Sequence, residues 1–301
     1  MIPLTILVDT AIFFAVALVS GNNISACVGA AVNAGIVTRR FGLALGAAGF
    51  TSGLLLQGSN MLVSVRGLIP NYSLALGLEA LTVTVIVFLA ADFMRVPLSL
   101  TMSIVGVLVG IAIKNNLAVN NSFVVEVVLM WVAAPLLSIG IAFYGARAAS
   151  KTNPKDLWRR LQTYKFLAVV LSFLASYALG TNTMGLIVAI AGFNASTIMI
   201  AVIAIFVGAF YVSARTLKRV AEELFSVHYS NALISLLVSA ALVEIATLFG
   251  IPLSNIQTLS GGIFGAGLSH RLKFLRIQPF LLVAAGWIIA PLLSFAIGLI
   301  L

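Results

Sequence analysis

Charge is the scarcest property of this sequence. Asp, Glu, Lys and Arg make up 8% of its 301 residues, against 61% hydrophobic, and the mean hydropathy is +1.17. A soluble domain carries about 25% charged residues, so a fully solvated surface is excluded and the chain reads as an integral membrane protein. The single cysteine, Cys27, excludes an internal disulfide and a cysteine-based metal site. Acids are scarcer than bases, which leaves a net charge of +9. In a membrane protein that excess belongs to cytoplasmic loops, so no nucleic-acid partner is expected. The opening segment MIPLTILVDTAIFF lacks a basic leader and contains Asp9, so it reads as a retained helix. No phosphate loop, zinc motif or nucleophile elbow is present, and Ser138 and Ser294 lack a His or Asp at useful spacing. No enzyme is expected.

Repetition is what the sequence has in quantity. WVAAPLLS (Trp131–Ser138) returns as WIIAPLLS (Trp287–Ser294). Pro97, Ser99, Gly106 and Gly110 of RVPLSLTMSIVGVLVG return as Pro252, Ser254, Gly261 and Gly265 of GIPLSNIQTLSGGIFG. SGNNISACVGAA (Ser20–Ala31) loosely matches LGTNTMGLIVAI (Leu179–Ile190). Three segments in one order, about 155–160 positions apart, indicate an internal duplication. The shared Trp, Pro and Ser argue against mere low complexity. The expected halves are 1–150 and 166–301, joined by a basic cytoplasmic linker over 151–165.

Each half shows six apolar elements, near 2–20, 22–38, 41–58, 73–93, 96–113 and 122–146, then 166–179, 182–193, 196–214, 230–249, 252–269 and 277–301. Basic loops set the orientation. Arg147, Lys151, Lys155, Arg159, Arg160 and Lys165 flank one side of three elements, and Arg215, Lys218 and Arg219 the other. Both groups are cytoplasmic only if an even number of the three cross. One element must therefore be re-entrant or a half helix, and the short polar run Gly180-Thr181-Asn182 is the expected place. The same rule leaves only Arg66 and Lys114 of the 17 Lys and Arg outside. The expectation is an all-α polytopic membrane protein with two inverted-topology repeats, broken or re-entrant helices, about ten crossings and both termini extracytoplasmic.

Inverted-repeat carriers hold substrate near the midplane at helix breaks, where unpaired N–H groups and the helix dipole favour anions. The candidate substrate-binding residues are Asn22 and Asn23, Ser99 and Thr101, Thr181, Asn182 and Thr183, and Ser254, Asn255, Gln257 and Thr258. Such side chains also cap and join membrane helices. Four acids lie in apolar runs, where acids are rare and default to function. Glu79 and Glu244 precede the two Pro-x-Ser segments and are the candidates for a co-transported ion or proton. Asp9 and Glu126 lie close to element ends and reach the interface. His270, beside Arg271, reads as solvated. Lys151–Phe166 reads as a linker, with an interfacial helix anchored by Trp158 as the alternative.

In order, and in both halves, these segments resemble the Pit-type inorganic phosphate transporters. Each half of that family carries Gly-Ala-Asn-Asp, then Pro-x-Ser-Thr-Thr-His with spaced glycines, then Ser-Trp-x-x-Ser-Pro-Leu. Asn22 and Asn182 fit the first. Pro97, Ser99, Thr101, Gly106 and Gly110, and Pro252, Ser254, Gly261 and Gly265, fit the second. Trp131, Pro135 and Leu136, and Trp287, Pro291 and Leu292, fit the third. The resemblance implies a homodimeric inverted-repeat carrier in the plasma membrane, moving phosphate or sulfate with a co-transported Na+ or H+ and no other cofactor. The departures are chemical. Asn23 and Thr183 stand where the family has Asp, and Leu100-Thr101-Met102 and Asn255-Ile256-Gln257 replace Thr-Thr-His. Asn and Thr can offer oxygens to a cation but cannot carry a proton. Proton coupling through Glu79 or Glu244, or a sulfate-carrying branch, are the resulting options. A permease for another solute and a structural membrane subunit remain the alternatives; broken polar helices disfavour the latter.

Overall fold

The computed structural model describes residues 3–93, 99–151, 157–213, 229–269 and 277–300. The expected break at Pro97, the basic groups Arg215–Arg219 and Arg271–Arg276, His270 and linker residues 152–156 lie outside the described residues. Within them the chain is all helical. The helices are α1 (Leu4–Asn33), α2 (Arg39–Gln57), α3 (Met61–Leu68), α4 (Leu74–Phe93), α5 (Leu100–Lys114), α6 (Asn121–Lys151), α7 (Leu157–Leu179), α8 (Gly185–Ile190), α9 (Ala195–Val207), α10 (Tyr229–Leu248), α11 (Asn255–Leu268) and α12 (Ile277–Ile300). A 3₁₀ turn joins α2 to α3, a π turn (Gly180–Met184) joins α7 to α8, and a second π turn (Gly208–Val212) extends α9.

Seven of these stretches are long and apolar enough to cross a membrane, with α2–α3 and α7–α8 each counting once. With α4, α5 and α11 they make a set of ten among the described residues. The parity set by the basic loops is met differently from the expectation. Gly21-Asn22-Asn23 does not break the chain; α1 runs through it without interruption. Gly180–Met184 widens into a π turn and the helix continues into α8. The first two apolar elements of each half are therefore one crossing. The physical reason is the solvent. Gly and Asn cost a helix about 1 kcal/mol or less apiece, whereas each backbone group left unpaired in lipid costs several.

The two halves follow one plan. Helices beginning at Leu4, Arg39, Leu74, Leu100 and Asn121 are answered at nearly constant offset by helices beginning at Leu157, Ala195, Tyr229, Asn255 and Ile277. Packing crosses between the halves: α5 lies on α12 and α11 on α6, while α1 lies on α9 and α2 on α7. The repeated glycines explain how closely they pack. A Cβ on Gly106 would stand 2.5 Å from the Pro291 carbonyl oxygen, and one on Gly261 would stand 2.8 Å from that of Pro135. Gly110 and Gly265 meet Phe295 and Ile139 in the same way.

Burial separates an inner from an outer set. Every residue of α5 from Leu100 to Ala112 is buried, and so are nine of the fourteen residues of α11. Leu129, Val132 and Leu136 of α6 and Ile288 and Leu292 of α12 are exposed, as a lipid-facing ring requires. The end of α3 meets the α5–α6 connection through Asn120 N–H donating to Leu68 O at 3.1 Å. The helix ends carrying Arg66 and Lys114 therefore lie on one side.

Candidate functional site

At 15 and 14 residues, α5 and α11 extend only about 21–23 Å, short of the ~30 Å hydrocarbon core. Their N-termini follow Ser99 and Ser254. Ser99 is the N-cap of α5; its side chain accepts from Met102 N–H at 3.4 Å. Ser254 is the N-cap of α11 in the same extended conformation, but its side chain makes no capping bond. The first-turn N–H groups of α11 are therefore left without that partner.

The π turn lies between the two starts. A π turn displaces carbonyls from the α-helical ladder, and Thr181 Oγ1 meets one of them, Ala178 O, at 2.7 Å. Asn182 is fully engaged. Its Nδ2 donates to Thr247 Oγ1 and to Ile251 O, each at 3.0 Å, and its Oδ1 accepts from Leu253 N–H at 3.0 Å. It thus clamps the segment that leads into α11. Thr183 Oγ1 lies 3.2 Å from Thr101 Oγ1 in the first turn of α5. Two consecutive residues of one turn, Asn182 and Thr183, therefore touch the entrances of the two short helices. Thr181 Oγ1 also stands 3.2 Å from Glu244 Oε2 on α10, and Gln57 of α2 faces the same carboxyl group.

The start of α11 is held further by α10 and α6. Ser239 Oγ lies 2.6 Å from both Asn255 Oδ1 and Thr258 Oγ1. The repeated Trp-x-x-x-Pro element supplies the rest. Pro135 has no N–H, which frees the carbonyl of Trp131 one turn earlier, and Gln257 Nε2 donates to that oxygen at 3.3 Å. Trp131 Nε1 donates to Pro252 O at 2.8 Å, and Ser138 Oγ to Thr258 O at 2.5 Å. Trp131 is 7% exposed, so it pins a neighbouring helix and does not anchor at the membrane surface. The second copy is less bonded. Met102 stands where Gln257 does and carries no donor, and Trp287 Nε1 and Ser294 Oγ are buried without a partner among the described residues.

Of the expected residues, Ser99, Thr101, Thr181, Asn182, Thr183, Ser254, Asn255, Gln257, Thr258 and Glu244 fall in this one region. Asn22 and Asn23 sit half-buried in mid-α1 and Glu79 half-buried on α4, with no side-chain hydrogen bond among the described residues. Thr247, Ser239 and Gln57 were not singled out from the sequence. Thr247 carried a readable signal, because it lies one turn from Glu244 on the same helix, just before Pro-x-Ser. Gln57 carried another, as an amide ending the apolar run TSGLLLQ.

A bundle of ten membrane helices whose halves exchange partners, with two truncated helices starting at a buried polar turn, is the construction of a secondary membrane carrier. The sequence profile of the phosphate transporter family matches residues 19–161 and again residues 145–298. The chain belongs to that family, and the double match follows its two halves. It is 25% identical over 292 residues to a protein of Methanocaldococcus jannaschii provisionally named a phosphate permease, covering 96% of this chain and 94% of the relative. It is 24% identical over 306 residues to the sulfate permease of Bacillus subtilis, covering 96% and 84%. Its fold matches a solved sodium-dependent phosphate transporter with a TM-score of 0.84 at 16% identity, over 99% of this chain and 98% of the other.

Proposed function

We propose that this chain is a secondary transporter of an inorganic oxyanion, phosphate or sulfate, driven by a co-transported Na+ or H+. The observation that carries the reading is the meeting of two short helix N-termini at a π turn lined by amides and hydroxyls. Partial positive charge at helix starts and uncapped N–H groups suit a tetrahedral anion. Ser99, Thr101, Thr183, Ser254, Asn255 and Gln257 are the groups placed to line that site, and Asn182 holds it in shape. Asn23 and Thr183 in place of acids lower the repulsion an anion meets. Coupling falls to the acids that remain, Glu244 beside the turn and Glu79 on α4. We further propose a plasma-membrane homodimer with extracytoplasmic termini, and no other cofactor; the division into halves at 1–150 and 166–301 around a cytoplasmic linker belongs to the same reading.

Purified protein in liposomes, offered labelled phosphate and labelled sulfate under imposed Na+ and H+ gradients, tests it. Saturable uptake of either anion is expected. Absence of uptake and of exchange for both, by folded and inserted protein, would refute it in favour of another solute or a structural role.

A further inference from the structure

Glu244 is the acid that this chain retains at the π turn, and its surroundings decide what it carries. Thr181 has one hydroxyl hydrogen and two acceptors in reach. Ala178 O lies at 2.7 Å and Glu244 Oε2 at 3.2 Å. Thr247 cannot supply a hydrogen either, because its hydroxyl donates to Val243 O at 2.9 Å while accepting from Asn182 Nδ2. With the Thr181 hydrogen on the nearer carbonyl, a carboxylate at Glu244 would face a bare lone pair. A protonated carboxyl group resolves the conflict by donating to Thr181 Oγ1. No Lys, Arg or His side chain pairs with Glu244 among the described residues. The groups facing it are Thr181 of the π turn, Gln57 of α2 and Tyr177 of α7; α1, α6 and α11 bring no charged group to it.

We propose that the coupling ion is a proton carried by Glu244, and that Thr181 is the positioning residue that reports its presence to the anion site. This rests on the carrier reading above. In the protonated state Glu244 O–H donates to Thr181 Oγ1, and Thr181 keeps its bond to Ala178 O. On release of the proton to the cytoplasm, the carboxylate left behind takes hydrogen bonds from the Gln57 amide and from the Thr181 hydroxyl, which leaves Ala178 O. That rotation reworks the turn whose next two residues hold Leu253 N–H and Thr101 Oγ1. One proton thereby acts on both helix starts, in a chain whose motif positions, Asn23 and Thr183, cannot ionise.

The test uses the full-length protein in liposomes with an internal pH dye. Counterflow of labelled sulfate and phosphate is read first, because it needs the carrier but no coupling ion. The wild type is expected to show counterflow, to accumulate anion at least fivefold under an inward proton gradient with internal acidification, and to ignore a Na+ gradient. Glu244→Gln is expected to keep counterflow, now independent of pH, and to lose accumulation and acidification. Thr181→Val, which keeps the acid, is expected to lose at least threefold in accumulation relative to its own counterflow. The proposal is overturned if Glu244→Gln accumulates anion within twofold of wild type, or if wild-type accumulation follows Na+ without acidification. Absence of wild-type counterflow would bring down the carrier reading itself, so the two failures separate.

Discussion

Replacing Asn182 with Ala removes three hydrogen bonds at once, two donated by Nδ2 and one accepted by Oδ1. Interhelical side-chain bonds in membranes are worth about 0.6 kcal/mol on average and up to ~1.7. Three of them give a loss of about 2 kcal/mol at the mean and about 5 at the upper value. Asn182 is fully buried and the substitution leaves Leu253 N–H and Ile251 O facing apolar neighbours, so the result belongs in the upper part of that range. Equilibrium unfolding of the purified protein in mixed micelles measures it. Thr183→Val, which removes one bond to Thr101, is the internal scale and should cost about a third as much. Because Asn182 fixes the entry to α11, anion affinity should fall along with stability. If Asn182→Ala unfolds within about 0.5 kcal/mol of wild type, which is below a single average bond, the clamp does not hold the α10–α11 connection and the site geometry argued from it is wrong.

Three further outcomes follow from the same packing. Gly265→Ala places a methyl group against the Ile139 carbonyl and should cost about 3 kcal/mol or more in the same assay, whereas Gly140→Ala, with nothing within 4 Å, should be neutral or stabilising by up to about 1 kcal/mol. Trp131→Phe should lose about 1 kcal/mol with its bond to Pro252 O, while Trp287→Phe, whose Nε1 has no partner among the described residues, should lose less; equal losses would contradict the asymmetry between the copies. Ser99→Ala removes a helix cap and should cost about 1 kcal/mol, but Ser254→Ala, which removes no cap, should leave unfolding unchanged and lower anion flux. Unchanged flux in both would count against a site at the two helix starts.

The duplication was legible because its signature residues do physical work at fixed spacing. Trp131 and Pro135 stand one turn apart so that Pro frees the Trp carbonyl, and Gly261 and Gly265 stand one turn apart so that two helices can touch. The crossing count was legible from charge, because Lys and Arg avoid translocation. The place of the irregularity was legible in one half, at Gly180-Thr181-Asn182, and misread in the other. Gly21-Asn22-Asn23 looks like a break on propensities measured in water, but in lipid the unpaired backbone weighs more than the propensity. The site was legible as a set of residue types but not as a set of roles. Asn182 has the composition of a ligand for substrate, yet its three partners, distant in sequence, make it a clamp. Gln57 reads in the sequence only as a polar amide at the end of an apolar run; that it meets the Glu244 carboxyl group depends on how α2, α7 and α10 pack.

The exchange of partners between halves also bears on how the molecule is made. When α5 first enters the bilayer, the helix that its glycine face fits, α12, has not yet been synthesised. The first half must therefore wait in the membrane with Gly106 and Gly110 uncovered, and its final shape is fixed only by the last helix to arrive. A separated first half would leave that face without the helix that it fits. The pairings of α5 with α12 and of α11 with α6 therefore close only when both halves are present in the bilayer.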